Sequence, residues 1–345
     1  MSIDKNKNLV GQPIFKQLIN LIPKHKFMAL VFQLQANRYY KTFYAWDHFI
    51  TMLYGIYSRC DSMGEVCDSM RALGGKLNHL GMEIAPAKST FGDALRERNN
   101  ELFRSFFFVL LEHFEPDLSV SRKKRYSKAD ISIKNLYALD SSTISLFSDI
   151  MKGVSRTTDG DGKKKGGLKV HMVTDIHADT PVFAYITDAK TNDQKFLGHF
   201  KIPVGSMVVF DKGYNNYKYF AQLTKEGVYF VTRLKNDASY QVIGEAMFKK
   251  ELNEGEFGVF KVEHIQLQYD DPTPYKIEGI NEATFTGKKM TLNLRLVHYR
   301  DEKGRYYKFI TNNWDITADE VALIYKYRWT IETTFKKLKQ NFQLT

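Results

Sequence analysis

The chain has 345 residues, of which 43% are hydrophobic and 14% aromatic, enough to bury a core over two or three domains. A net charge of +11 favours a polyanionic partner, either nucleic acid or an acidic membrane surface. The two cysteines, Cys60 and Cys67, argue against a disulfide framework and fit a reducing cytosol. The sequence contains neither an export signal nor an apolar run of membrane-spanning length, which argues against export and against a membrane protein.

Residues 1–120 predict an α-helical N-terminal domain. Trp46, Phe49 and Leu53 recur at steps of three and four residues, which is the period of an amphipathic helix. Short helices of this kind fit a DNA-binding module of helix-turn-helix type. A helical bundle that serves only oligomerisation explains the pattern equally well.

The composition becomes strongly basic after this domain. Between Ser121 and Val170 there are 12 Lys or Arg against 5 Asp. We interpret residues 122–125 as a linker and residues 159–163 as a loop between strands. Because the basic runs flank a candidate site strand, they favour phosphate contact over simple solvation.

Two apolar runs in residues 121–235 each end in an aspartate. Residues 136–139 lead into Asp140, and residues 207–210 lead into Asp211. Short apolar runs of this kind predict buried strands, and the carboxyl ends of such strands are where open α/β sheets carry their sites. Asn192-Asp193 and the segment from Lys169 to His171 lie near the expected sheet, and turn and strand roles explain them.

Residues 236–306 alternate polar and apolar side chains and predict a β-rich insertion within the catalytic domain. Residues 307–345 return to the core and end in one long helix. Thr317 followed by Glu320 predicts a capping box at the start of that helix.

Four functional side chains fall on one face of this last helix. Tyr325, Arg328, Glu332 and Lys339 are spaced three, four and seven residues apart, so at about 100° per residue they share a narrow stripe. Taken alone, such a face is often a solvated surface with ion pairs along the helix. An apolar stripe lies beside it and predicts docking on a core: Ile324, Ile331, Phe335, Leu338 and Phe342.

Asp140, Asp211 and Glu332 would converge if the last helix packs across the sheet. Three clustered carboxylates repel one another unless cations neutralise them. Mg²⁺ prefers oxygen ligands and few carboxylates per ion, and two such ions support phosphodiester hydrolysis or transfer. The spacing therefore predicts a metal-dependent phosphodiester site.

At these motifs the sequence resembles the DDE transposases of bacterial insertion sequences. Residues 139–143 (Leu-Asp-Ser-Ser-Thr) and 210–214 (Phe-Asp-Lys-Gly-Tyr) resemble the two aspartate strands. Residues 325–339 match the Tyr-x2-Arg-x3-Glu-x6-Lys signature of the IS-four-type group without a gap. The resemblance covers about residues 135–342 and implies an α/β fold, with a ribonuclease H-like core interrupted by the β insertion and preceded by the helical domain.

The resemblance also implies roles for individual residues. Asp140, Asp211 and Glu332 become the catalytic, metal-binding triad, which holds Mg²⁺, with two ions expected and Mn²⁺ as a substitute. Tyr325, Arg328 and Lys339 become phosphate contacts to DNA. The implied partners are double-stranded DNA, as inverted-repeat ends and as target, and a second copy in a synaptic homodimer. The implied location is the bacterial cytoplasm, in association with the nucleoid.

Two departures from that group bear on the expected function. None of the three tryptophans lies in the insertion, so a flipped base there would stack on Tyr or Phe instead. The chain stops at Thr345, six residues after Lys339, where relatives continue, which predicts a truncated copy. The alternatives are a catalytically inactive DNA-binding remnant that acts as a regulator, and a nuclease without strand transfer.

Overall fold

The computed structural model describes residues 13–126, 131–145, 156–158, 164–270 and 289–342. The chain divides into two compact units, one formed by Met1–Val120 with Lys337–Leu344 and the other by Ser121–Lys336. None of the described helices is long and apolar enough to cross a lipid bilayer. The loop predicted at residues 159–163 lies outside the described residues.

The N-terminal part is helical, as its periodicity predicts. Aromatic rings fill the centre of the first unit, where Phe27 meets Phe106 edge-on at 4.8 Å between ring centroids. The segment at 122–125, expected to be a linker, is instead part of the long last helix of this series. The helices are α1 (Ile14–Leu21), α2 (Lys24–Gln33), α3 (Ala45–Tyr57), α4 (Met63–Ala72), α5 (Lys88–Glu97) and α6 (Glu101–Tyr126), with a 3-10 turn at Gly74–Leu80.

The second unit is a mixed α/β structure built on a large sheet. Among the described residues eleven strands join in the order β2-β3-β1-β5-β6-β11-β10-β9-β7, while β4 pairs with β3 and β8 with β9. These strands are β1 (Leu136–Ser145), β2 (Arg156–Thr158), β3 (Lys164–Asp175), β4 (Thr180–Asp188), β5 (Met207–Phe210), β6 (Tyr229–Arg233), β7 (Gln241–Val242), β8 (Phe248–Lys249), β9 (Gly258–Asp270), β10 (Lys289–Arg300) and β11 (Tyr306–Thr311).

The middle of the sheet is parallel and fully buried. β1, β5 and β6 run in the same direction, and all four residues of β5 are buried. Helix α7 (Tyr217–Lys225) connects β5 to β6, as a parallel pair requires. The pairing of β1 with β5 ends at Leu139 and Phe210, which places Asp140 beside the carboxyl end of β5, while β1 itself continues to Ser145.

The predicted insertion extends the same sheet. β9 and β10 form a long antiparallel pair, and β10 pairs with β11, which in turn pairs with β6. The β-rich segment therefore continues the sheet of the core through β11.

The sequence predicts one continuous last helix, but the structure contains two. Helix α8 (Ala318–Tyr327) ends at Arg328, and helix α9 (Trp329–Phe342) begins directly after it. The physical reason lies in two short-range bonds, because the Arg328 N–H donates to the Tyr325 carbonyl and its own carbonyl accepts from Ile331. These three-residue steps tighten the chain into a 3-10-like turn. Packing followed the prediction where it is described, since Ile324, Ile331 and Phe335 are buried.

Candidate active site

Asp140 and Asp211 occupy matching positions on neighbouring parallel strands. Leu139 of β1 is paired with Phe210 of β5, so the two aspartates that follow them project to the same face of the sheet. Neighbouring strands lie about 4.8 Å apart, so the two carboxylates are side by side. The prediction that a strand ends at Asp140 is wrong, because β1 continues to Ser145 through its pairing with β3, and only its pairing with β5 ends at Leu139.

Arg328 joins two of the predicted triad residues. Its Nη1 lies 3.4 Å from Asp140 Oδ2, and its Nη2 lies 2.6 Å from Glu332 Oε1. The Arg328 side chain is only 9% exposed, whereas that of Glu332 is 41% exposed. The turn between α8 and α9 thus sets a buried guanidinium between one carboxylate of β1 and one helix carboxylate.

Tyr325 makes the equivalent contact with the second aspartate. Its hydroxyl donates to Asp211 Oδ1 at 3.1 Å, and its ring packs on Phe309 of β11 at 4.8 Å between centroids. Both Tyr325 and Arg328 are buried. The polar stripe seen in the sequence therefore points toward the carboxylates.

Burial and neighbouring charges shift the pKa values of the site residues. Burial raises the pKa of Asp140 to about 6, opposed by the Ser141 amide and by Arg328 and reinforced by the charges of Glu332 and Asp211. Burial also raises the pKa of Tyr325 to about 12, so the phenol keeps its proton. Burial opposes the charge on Arg328, yet Tyr325 and Glu332 together raise the pKa of the guanidinium. A cation bound nearby would favour the ionised form of a buried carboxyl group such as that of Asp140.

The donor set suits a divalent cation in part. Asp140 and Asp211 offer paired carboxylate oxygens, which Mg²⁺ and similar ions prefer. Glu332 is bonded to Arg328, and across the described part of the chain no three His, Cys, Asp or Glu residues form a group that could hold a metal ion. The two aspartates therefore fit a cation, and Glu332 fits as a third ligand only in exchange for its bond to Arg328.

Lys339 is the remaining residue of the predicted stripe. It lies two helical turns beyond Glu332 on α9, past the end of the second unit at Lys336. The site residues thus come from the middle of β1, from the residue after the end of β5 and from the α8–α9 turn.

A second polar cluster adjoins Asp140, and sequence reasoning assigned it only turn and strand roles. Asp193 Oδ1 accepts from the Ser141 hydroxyl at 2.8 Å and from Lys169 Nζ at 3.1 Å. The signal that could have found it is strand register, because Ser141 is paired with His171 and Thr143 with Lys169. Alternate residues of β3 thus line the face on which Ser141 lies.

The structure thus shows a mixed α/β protein in which a buried arginine bonds one carboxylate from β1 and one from α9. The family model described as Transposase DDE domain matches residues 132–345. This is more than half of the chain, and the chain belongs to that family. A second family model, described as a domain of unknown function (DUF4372), matches residues 10–83.

Curated relatives carry related names. The chain is 29% identical over 178 residues to "Putative transposase y4zB" of Sinorhizobium fredii (strain NBRC 101917 / NGR234), a match covering 52% of this chain and 46% of that protein. It is 24% identical over 222 residues to the transposase for insertion sequence element IS231E of Bacillus thuringiensis subsp. finitimus, covering 54% of this chain and 45% of that protein. The matches thus span less than half the length of these relatives.

A solved structure also aligns with the chain. The cryo-EM structure of a piggyBac transposase synaptic complex with hairpin DNA aligns over 93% of this chain and 65% of that chain. The TM-score is 0.40 at 12% sequence identity.

Proposed function

We propose that this protein cleaves DNA at the inverted-repeat ends of an insertion sequence and joins those ends to target DNA, in a reaction that depends on a divalent cation. One observation carries the proposal: Asp140 and Asp211 share a face where the pairing of β1 with β5 ends, and the buried Arg328 bonds both Asp140 and Glu332. Membership of the transposase DDE domain family supports it. A ribonuclease H-like core and the IS-four-type signature are parts of the same proposal.

Asp140, Asp211 and Glu332 are the proposed metal ligands. When bound, Mg²⁺ or Mn²⁺ would supply activation of a water or 3′-hydroxyl nucleophile and stabilisation of the leaving oxygen. Tyr325 holds Asp211 through its hydroxyl, and Arg328 orients Asp140 and Glu332 through its fork. Because these two side chains are buried and already bonded, their first task is to position the carboxylates.

Phosphate binding is proposed for the cations around this edge. Lys339 is a candidate contact two turns from Glu332, Lys212 lies two residues after the end of β5, and Arg233 is the last residue of β6. The buried guanidinium of Arg328 and the buried phenol of Tyr325 would contact a DNA phosphate only where the site opens to solvent. The net charge of +11 favours double-stranded DNA as the polyanion, held by the helical unit at 1–120 and by a second copy in a synaptic dimer.

Labelled DNA ends test the proposal. The purified protein is incubated with terminal-repeat DNA and Mg²⁺ or Mn²⁺, beside the variants Asp140→Asn, Asp211→Asn and Glu332→Gln. We expect cleavage by the wild type and a loss of at least about 100-fold in each variant, because each removes a charged ligand. Glu251→Gln, an exposed change outside the site, should cleave normally.

Three results would contradict the proposal. Undiminished cleavage in the three variants would show that the carboxylates take no part. Tight binding to terminal repeats with no cleavage under any metal condition would instead support the regulator that binds DNA without chemistry. Cleavage without joined donor and target products would identify a nuclease.

A further inference from the structure

The short turn at Asp193–Phe196 lies between the two segments that carry Asp140 and Asp211. Asn192 caps this 3-10 turn by accepting from the Gln194 amide at 3.0 Å. Its position gives it a neighbour on each side. On one side stands Ser141, and on the other stand Gly213 and Asn215.

Asp193 makes the contact on the first side. Its Oδ1 accepts from the Ser141 hydroxyl at 2.8 Å, while the Ser141 amide donates to Asp140 Oδ1 at 2.8 Å. One residue, Ser141, therefore bonds Asp193 through its side chain and Asp140 through its backbone. Any displacement of Asp193 is transmitted to the segment that orients Asp140.

One hydrogen bond holds the turn on the second side, and the Asp193 carboxylate lies near Gly213. The Gln194 side-chain amide donates to the Asn215 carbonyl at 2.9 Å. A Cβ added to Gly213 would stand 4.0 Å from Asp193 Oδ2, so the carboxylate lies over the turn that follows Asp211. The 3-10 turn thus spans from the Asp140 strand to the Asp211 turn.

Lys169 holds Asp193 in this place. Its Nζ lies 3.1 Å from Asp193 Oδ1 and donates to the Thr191 carbonyl at 2.7 Å, and its side chain is 15% exposed. His171, whose Nδ1 lies 3.9 Å from the same oxygen, stacks on Phe196 at 4.8 Å. Burial lowers the pKa of His171 to about 4, so at neutral pH Lys169 supplies the positive charge beside Asp193.

The charges of the same carboxylates act on Tyr214. Burial raises the pKa of Tyr214, the Ser141 side chain lowers it, and the charges of Asp193, Asp140 and Asp211 raise it further. Tyr214 is buried and lies three residues after Asp211. Asp193 belongs to the same acidic neighbourhood, yet it is bonded to Ser141 and Lys169 and leaves cation binding to the other two.

We propose that Lys169 and Asp193 form a clamp that fixes the separation and orientation of Asp140 and Asp211, so both are positioning residues for cation binding. The clamp acts through Ser141 on one side and through the Gly213–Asn215 turn on the other. This inference rests on the proposed function for its consequence in catalysis, whereas the clamp itself is a property of the fold. Outer contacts of this kind typically change metal affinity by about 10- to 100-fold.

Full-length Lys169→Met and Asp193→Asn variants test the clamp by two independent measurements. Amide hydrogen exchange should become faster in both segments, 139–143 and 212–216, because each has lost its common tether. Mn²⁺ affinity, followed by the paramagnetic resonance of free Mn²⁺, should fall by about 10-fold or more. The double variant should lose no more than either single one, because two residues that act as a unit are not additive.

Lys261→Met is the matched control. Lys261 Nζ lies 2.7 Å from Glu263 Oε1, in another lysine–carboxylate pair of the same sheet. It stands on β9, four strands away from β5 in the strand order. This control should leave exchange in both segments and Mn²⁺ affinity unchanged, while Lys169→Arg should recover most of what Lys169→Met loses.

The outcomes separate the clamp from the proposed function. Unchanged exchange in both segments, or losses equal to those of Lys261→Met, would overturn the clamp whatever the wild type does. A wild type that neither binds Mn²⁺ nor cleaves DNA would overturn the proposed function, and the exchange comparison would still decide the clamp. Faster exchange with undiminished Mn²⁺ affinity would refute the role in cation binding.

Discussion

At the scale of single residues, Arg328 determines how two carboxylates of the candidate site are bonded. The sequence places it three residues after Tyr325 and four before Glu332, a pattern that predicts a shared helix face. It does not reveal that the guanidinium is buried and divided between Glu332 on its own helix and Asp140 from the sheet. That division depends on a contact spanning 188 residues of chain.

Removing this guanidinium should destabilise the second unit. In Arg328→Met we expect a loss of about 2 kcal/mol in the free energy of unfolding, less than for a fully buried pair because Glu332 is partly exposed. Urea unfolding measures it. Mg²⁺ should stabilise the variant more than the wild type, because the ion takes over neutralisation of the carboxylates.

Arg305→Met provides the comparison for that measurement. Arg305 pairs with Asp301 at 2.6 Å but its side chain is 64% exposed, and exposed pairs contribute little. A much smaller loss is expected there. Equal losses in the two variants would show that Arg328 is an ordinary surface partner.

At the scale of elements, local patterns predicted most boundaries. The apolar run at 207–210 located the end of β5, whereas β1 continues past Asp140 to Ser145 because it also pairs with β3. Thr317 begins α8 by accepting from the Glu320 amide at 3.1 Å. The other half of the predicted capping box is replaced, because the Glu320 carboxylate accepts from the backbone and hydroxyl of Ser132. Ser132, 188 residues away in the chain, thus bonds that carboxylate in place of the Thr317 amide. A contact at this separation cannot be predicted from local sequence spacing.

The cap itself can be weighed by substitution. Thr317→Ala should lower the free energy of unfolding by about 1 kcal/mol, because the first turn of α8 loses its acceptor. Thermal unfolding followed by circular dichroism measures the change. Thr333→Ala, which removes only a hydroxyl bonded within α9 to the Trp329 carbonyl, should be close to neutral. A larger effect at Thr333 than at Thr317 would contradict the assignment of the cap.

At the scale of the whole molecule, each unit contains a buried histidine. The two ring nitrogens of His48 have no hydrogen-bond partner among the described residues, and its ring packs near those of Phe43, Phe91 and Phe103. Burial lowers the pKa of His48 to about 4, and burial lowers that of His171 to about 4 as well. Both units therefore bury a neutral imidazole.

The contribution of the two histidines to stability should fall as the pH is lowered from about 6.5 to about 4, and Asp140, whose pKa is raised to about 6, offsets part of this loss in the second unit. In that window the two histidines are protonated in the unfolded chain but neutral in the folded protein, so acid favours unfolding. The loss reaches up to about 3 kcal/mol for each histidine at the lower pH limit. Urea unfolding between pH 7.5 and 4.5 measures this dependence. His48→Phe, which suits the aromatic surroundings, should reduce it.

The exposed His25 supplies the control for that pH series. His25→Gln should leave the slope of stability against pH unchanged. A His48→Phe variant with the wild-type slope would show that the buried imidazole in the first unit does not govern its acid sensitivity.

The sequence by itself determined the helical beginning, the buried apolar runs that precede Asp140 and Asp211, and the late helical segment that carries Glu332. These follow from side-chain periodicity and apolar runs, which act between near neighbours in the chain. Tertiary structure alone decided that β9 and β10 extend the central sheet, that the last helix breaks at Arg328, and that Lys169 and Asp193 stand beside the aspartates. Those outcomes depend on register and on charges that meet only after distant segments have packed. The spacing from Tyr325 to Glu332 thus predicts only a shared helix face. The folded structure adds the bonds from Tyr325 to Asp211 and from Arg328 to Asp140.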